Sequence, residues 1–118
     1  MKIFCIGYNK TGTTSLKRLM NNNNINSAPQ KPFECNMESY FYKNYSTFVN
    51  MIKDDYHKYD FFQDIPFSLP NFYKVLDEEF DDAKFILTVR DNEDEWYDSL
   101  IRFHKKLLAL NKMFVLSS

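Results

Sequence analysis

The residues best suited to chemistry lie near the amino terminus, in Gly7-Tyr8-Asn9-Lys10-Thr11-Gly12-Thr13-Thr14-Ser15. The chain has only two glycines, and both stand in this stretch with four residues between them. The spacing matches the outline of a phosphate-binding loop, G-x-x-x-x-G-K-[ST], with one departure. Thr13 occupies the usual lysine position, and a lysine occurs earlier, at Lys10. The physics of anion binding survives that change. Glycines let main-chain N–H groups turn inward, and a helix starting after the loop adds donors and a positive dipole end. Lys10 brings an ammonium group over the anion, and Thr13 and Thr14 add hydroxyls.

Such a loop needs a strand before it and a helix after it. Lys2-Ile3-Phe4-Cys5-Ile6 is apolar and β-prone, and Leu16, Leu19 and Met20 recur at helical spacing. The run Asn21–Asn24 closes that helix, and Pro29 and Pro32 keep the next stretch extended or irregular. Phe33 to Met37 reads as a short strand or a loop. From Ser39 one helix is expected, with Phe41, Tyr45, Phe48 and Ile52 on its apolar stripe and Asp54-Asp55 at its end. Tyr59 to Ile65 reads as a second strand with Phe61-Phe62 buried. Leu69-Pro70 opens a further helix striped by Phe72, Tyr73, Leu76 and Phe80. Lys84 to Arg90 holds an apolar run of the kind found in parallel sheets covered on both faces. Trp96, Leu100, Phe103, Leu107 and Leu110 mark a long helix after it, and Met113 to Ser118 receives no assignment. Strands alternating with helices imply a parallel α/β sheet. Ligands in such sheets bind beyond the carboxyl ends of the strands, where Gly7 to Thr14, Asp64 and Arg90 all fall.

The loop Lys10-Thr-Gly-Thr-Thr-Ser-Leu16 after a short strand resembles the 5′-phosphosulfate loop of sulfotransferases that use 3′-phosphoadenosine 5′-phosphosulfate (PAPS). Lys84 to Asp91, followed by Trp96-Tyr97-Asp98-Ser99-Leu100, resembles a second segment of the same family. The resemblance runs from about Lys2 to Leu108. It implies a P-loop NTPase-like three-layer sandwich with a parallel sheet, in a single domain over residues 1–118 that is incomplete relative to the family. It also implies transfer of a sulfuryl group from PAPS to a hydroxyl or amine. Gly7, Lys10, Thr11, Gly12, Thr13, Thr14 and Ser15 would then hold the 5′-phosphosulfate. Lys10 would also neutralise charge growing on the bridging oxygen, and no metal is required. Arg90 and Ser99 would hold the 3′-phosphate, Arg90 through a guanidinium fork that stays charged. Two departures stand in the second segment. The usual proline after the arginine is replaced by Asn92 or Glu93, and the step from Arg90 to Ser99 is one residue longer than the common spacing.

Sulfuryl transfer needs a base for the acceptor's proton. Glu38 stands before aromatic residues where some family members carry a catalytic glutamate. Asp64, in Asp-Ile-Pro, resembles an Asp-x-Pro of many bacterial-type members and would act as base or orient the acceptor. Glu34 is a weaker candidate. Each carboxylate has a structural reading as well, Glu38 in a helix's first turn and Asp64 as a cap of the Ser68-Leu69 turn. His57 and His104 sit among charged residues and read as solvated. The acceptor would lie against residues 29–42 and 65–71, whose Phe33, Tyr40 and Phe67 equally suit a core.

Composition narrows the classes. With 118 residues the chain makes one small domain. Its net charge of −1 argues against nucleic-acid binding through a basic surface. Cys5 and Cys35 have no metal-type spacing, and Cys5 is expected as a buried thiol. No apolar run has the length of a membrane span, and no signal peptide is recognised, so a cytoplasmic protein without a membrane partner is expected. A small-molecule or glycan acceptor is the expected partner. Because three strands leave exposed edges, completion by homo-oligomerisation enters the reading. Two alternatives remain: a P-loop small-molecule kinase, disfavoured by Thr13, and an inactive or fragmentary module that binds PAPS or 3′,5′-ADP (PAP).

Overall fold

The computed structural model describes residues 1–6, 13–69, 72–89 and 112–117. Its elements are β1 (Ile3–Cys5), α1 (Thr13–Asn22), α2 (Lys31–Glu34), α3 (Met37–Phe41), α4 (Ser46–Lys53), β2 (Phe61–Phe62), α5 (Phe72–Glu79), β3 (Lys84–Val89) and β4 (Met113–Ser117). The strands form one sheet in the order β2-β1-β3-β4, and every neighbouring pair is parallel. This is the mixed α/β fold with a parallel sheet that the alternation of elements implies.

The sheet is covered on both faces, and the two-residue period of its strands explains how. Phe4, Phe62, Phe85 and Leu87 belong to one buried cluster with Phe48 and Ile52 of α4 and Phe72, Tyr73 and Leu76 of α5. The residues between them, Ile3, Cys5, Phe61 and Ile86, form a second cluster with Leu16 of α1. Phe4 lies at the centre of the first cluster. Its ring meets those of Phe62, Phe67, Phe80 and Phe85 at centroid distances of 5.4, 5.7, 5.6 and 5.9 Å. The high aromatic content is therefore mostly core, as expected, and Cys5 is buried.

Four expectations need correction. The helix from Ser39 through Ile52 is two helices, α3 and α4. The chain turns between them, with Lys43 at φ 58° and the Asn44 N–H donating to the Ser39 carbonyl at 2.8 Å. Phe41, assigned to the buried stripe, is 73% exposed. The stretch read as a short strand or a loop at Phe33 begins inside a helix, α2, with Pro32 in its first turn where proline is tolerated. The second strand is two residues rather than Tyr59 to Ile65, because the chain bends at Asp64, φ 65°. Finally, Met113–Ser117, left without an assignment, is a strand that runs in register beside β3, pairing Phe85 with Met113 and Val89 with Ser117. The Lys112 ammonium contacts Asp77 of α5 at 2.8 Å, which ties the start of β4 to the helix layer. The expected long helix after β3 lies outside the described residues.

The β2 margin of the sheet is lined by the segment after α1. The Asn26 carbonyl accepts from the N–H groups of Asp60 and Phe61, the Ala28 N–H donates to the Phe61 carbonyl, and Ser27 bridges Phe61 in parallel.

Candidate active site

The strand order sets where a ligand crevice can lie. From β1 the chain moves to β2 on one side, then crosses β1 to reach β3 on the other. The switch point lies between β1 and β3, and a crevice opens beyond the carboxyl ends of two such strands. Cys5 pairs with Ile86, and the Ile6 N–H donates to the Ile86 carbonyl at 2.9 Å, so both strands run toward the same sheet edge. In sequence, the glycine loop follows β1 directly and Arg90 follows Val89. Gly7, Lys10, Thr11, Gly12, Arg90 and Ser99 themselves lie outside the described residues.

The helix expected after the loop is α1, and it begins at Thr13. Thr13, Thr14 and Ser15 therefore form its first turn, whose main-chain N–H groups have no partner within the helix. Leu16 fixes the helix to the sheet by packing on Ile3, Cys5, Phe61 and Ile86.

Asp64 lies just beyond the carboxyl end of β2. It is the buried charged residue among the described residues, 8% exposed. Its surroundings explain how a carboxylate is held there. Phe67, three residues on, is fully buried against Phe4, Phe33, Phe62 and Phe72 and anchors the turn. The Ser68 N–H donates to the Asp64 main-chain carbonyl at 2.8 Å, so the turn is closed by backbone. Ile65-Pro66 is a cis peptide. Burial pushes the Asp64 carboxyl above its ordinary range, the Glu34 carboxylate pushes it further, and Lys17 of α1 pulls it back. A carboxyl shifted upward by burial in a crevice is a recurrent property of general acids and bases.

Glu34 closes α2, accepts a hydrogen bond from the Gln30 side-chain amide and is exposed. Glu38 sits in the first turn of α3, also exposed. Among the described residues, the charged groups that act on Asp64 are Glu34, the weaker of the glutamate candidates, and Lys17. Gln63 and Lys17 were not singled out in the sequence, and no spacing rule marks them. The buried Gln63 Oε1, like the buried Ser27 Oγ, has no hydrogen-bond partner among the described residues. Of the aromatics proposed for an acceptor pocket, Phe33 and Phe67 are consumed by the core and Tyr40 is half-buried against Tyr45 and Phe72. His57 is exposed, with its ring Nδ1 near the Asp54 carbonyl.

Among the described residues, no group of three or more His, Cys, Asp or Glu side chains could hold a metal ion. No helix among them is long and apolar enough to cross a membrane. Comparison with protein-family models matches residues 2–118 to the one described as sulfotransferase domain. Comparisons with curated proteins and with solved structures gave no match.

Proposed function

The chain belongs to the sulfotransferase domain family, and from that premise we propose that it transfers a sulfuryl group from PAPS to a hydroxyl or amine acceptor. The observation that carries the reading is the switch point between β1 and β3, because the two candidate anion-binding segments follow these neighbouring strands in sequence. Adjacent strands are about 4.8 Å apart, a separation that one adenosine bisphosphate spans easily.

In this reading the N–H groups of Thr11 to Ser15 and the loop between Gly7 and Gly12 receive the 5′-phosphosulfate. Arg90 and Ser99 receive the 3′-phosphate. The acceptor oxygen or nitrogen attacks sulfur in line, and the bond from sulfur to the bridging phosphate oxygen breaks as 3′,5′-ADP leaves. Lys10 meets the charge that grows on that oxygen, an interaction stronger in the transition state than in the ground state. The acceptor's proton goes to Asp64 or Glu38. The burial and raised affinity for protons of Asp64 support it as the base, since a base works best when its pKa approaches the working pH.

Calorimetric titration with 3′,5′-ADP in a chelator tests the binding half. Release of 3′,5′-ADP from PAPS in the presence of an acceptor panel tests the transfer half. Binding that persists without Mg²⁺ and is lost in Lys10→Ala supports the reading. Binding that requires Mg²⁺ and prefers ATP overturns it.

A further inference from the structure

Among the described residues, no hydrogen bond or ion pair fixes the Asp64 carboxylate; burial and the fields of Glu34 and Lys17 are what act on it. Its direction is therefore set by the backbone beneath it. That backbone stands at φ 65°, a region few residues with a side chain hold unless their surroundings impose it. Here the turn that follows imposes it. The Ser68 N–H donates to the Asp64 carbonyl at 2.8 Å, and the Leu69 N–H donates to the Pro66 carbonyl at 3.0 Å. Phe67 enters the core from the middle of that turn and is 1% exposed. Its ring meets Phe4 of β1 at 5.7 Å, Phe33 of α2 at 5.2 Å, Phe62 of β2 at 5.5 Å and Phe72 of α5 at 5.9 Å. Four elements thus locate one side chain, three residues from Asp64. One of them, β1, is the strand that leads in sequence to the glycine loop. We propose that Phe67 is a positioning residue for Asp64, its ring holding the carboxylate at a fixed place relative to the end of β1.

This role rests on the sulfotransferase reading with Asp64 as the base, and it adds the residue that keeps the base in place. A base must reach the acceptor's proton while the acceptor faces sulfur, and a displacement of about 1 Å costs about 10²-fold in rate. A ring wedged among four others resists that displacement, because a close-packed interior moves only by repacking. Leucine at position 67 removes the edge contacts with Phe33 and Phe72 and the stacked contact with Phe4. The turn then loosens, Asp64 relaxes toward negative φ, and its carboxylate swings toward water. A core phenylalanine elsewhere has no such reach. Phe48 supplies the comparison: it is fully buried in the same cluster and meets Phe72 at 5.6 Å, but it sits on α4 rather than on the turn.

The test compares the full chain with Phe67→Leu and Phe48→Leu. The Asp64 carboxyl carbon resonance is titrated with pH in the free protein, and kcat and KM for PAPS are measured across pH. Both variants should melt below the parent, since each loses a buried ring. Only Phe67→Leu should change Asp64. Its carboxyl midpoint should fall toward 3.8, because burial is the first cause of the raised value and the Glu34 carboxylate the second, against the pull of Lys17. Its kcat should fall about 10²-fold with KM for PAPS unchanged, the mark of a loss confined to the transition state. The acid limb of kcat should move to lower pH, since a base that holds its proton less tightly is free earlier. Phe48→Leu should keep the parent's carboxyl midpoint, kcat and acid limb. Equal losses of kcat in the two variants, or an Asp64 titration that Phe67→Leu leaves unmoved, overturns the proposal. If Phe67→Leu does not fold, Phe67→Met, a flexible filler without the ring, takes its place in the same comparison. In the parent, the Ser68 amide that closes the turn should resist hydrogen exchange as core strand amides do, and free exchange there overturns the proposal without any variant. A parent chain that releases no 3′,5′-ADP from PAPS strikes the sulfotransferase reading instead, and the carboxyl titrations then judge the positioning by themselves.

Discussion

Replacing Asp64 by asparagine and by alanine separates its electrostatic, conformational and chemical contributions. The electrostatic part has a definite sign. The folded protein holds the Asp64 proton to higher pH than the unfolded chain, whose carboxyl titrates near its ordinary value of 3.8. Between those two points the native state binds more protons, so the contribution of Asp64 to stability falls as pH rises and is lost above the raised value. Asparagine does not titrate. The stability of Asp64→Asn relative to the parent is therefore expected to rise from acid toward neutral pH, with the step lying above 3.8. The conformational part concerns φ 65° at this position. Asparagine tolerates the left-handed region, whereas alanine pays about 1 kcal/mol more there. For a chain of this length that is about 4 °C in thermal midpoint. Asp64→Ala should thus melt about 4 °C below Asp64→Asn at every pH. Loss of a general base should lower turnover of both variants by about 10²- to 10⁴-fold while 3′,5′-ADP binding holds. Urea unfolding between pH 4 and 8, alongside PAPS turnover, reads all three. A stability difference that does not change with pH refutes the electrostatic argument. Full turnover in Asp64→Asn refutes the assignment of the base.

Other substitutions have outcomes fixed by packing. Phe4→Ala removes a fully buried ring from the centre of the aromatic cluster and should cost about 3–5 kcal/mol in urea unfolding. Asp77→Asn removes the half-buried partner of Lys112 and should cost about 1 kcal/mol, with the melting difference shrinking at high salt. Phe41→Ser changes a ring that is mostly exposed, and its unfolding free energy should stay within about 0.5 kcal/mol of the parent. Arg90→Ala should weaken 3′,5′-ADP by tenfold or more, about the worth of a bidentate phosphate contact, and calorimetry reads the change.

The parts of the fold that were legible in the sequence are those specified locally. β1 and β3 are apolar runs, and a strand covered on both faces requires such a run. The stripes of α4 and α5 are legible for the same reason, since Phe48, Ile52, Phe72 and Leu76 bury against the sheet. The break between α3 and α4 was hidden because the apolar period continues through it. Tyr45 still packs on Phe72, although Lys43 and Asn44 have turned the chain. β4 is a short apolar run, which by periodicity alone reads equally as a strand or a buried helical turn, and only its pairing with β3 decides between them. At the site, Asp64 was visible through its position after β2. Glu34 and Lys17 come to it from α2 and α1, and only folding brings three such distant positions into one electrostatic field. The glycine loop and Arg90 lie outside the described residues, and residue type and order alone speak for them.

The segment from Asn26 to Ala28 has a consequence for how this molecule meets its own copies. A two-residue border strand would ordinarily offer its amides and carbonyls as a template to any extended chain that drifts past. Here those groups are already engaged by a neighbouring stretch of the same polypeptide, so that flank is closed to runaway stacking. A partner that lengthens the sheet by strand addition has to approach from elsewhere.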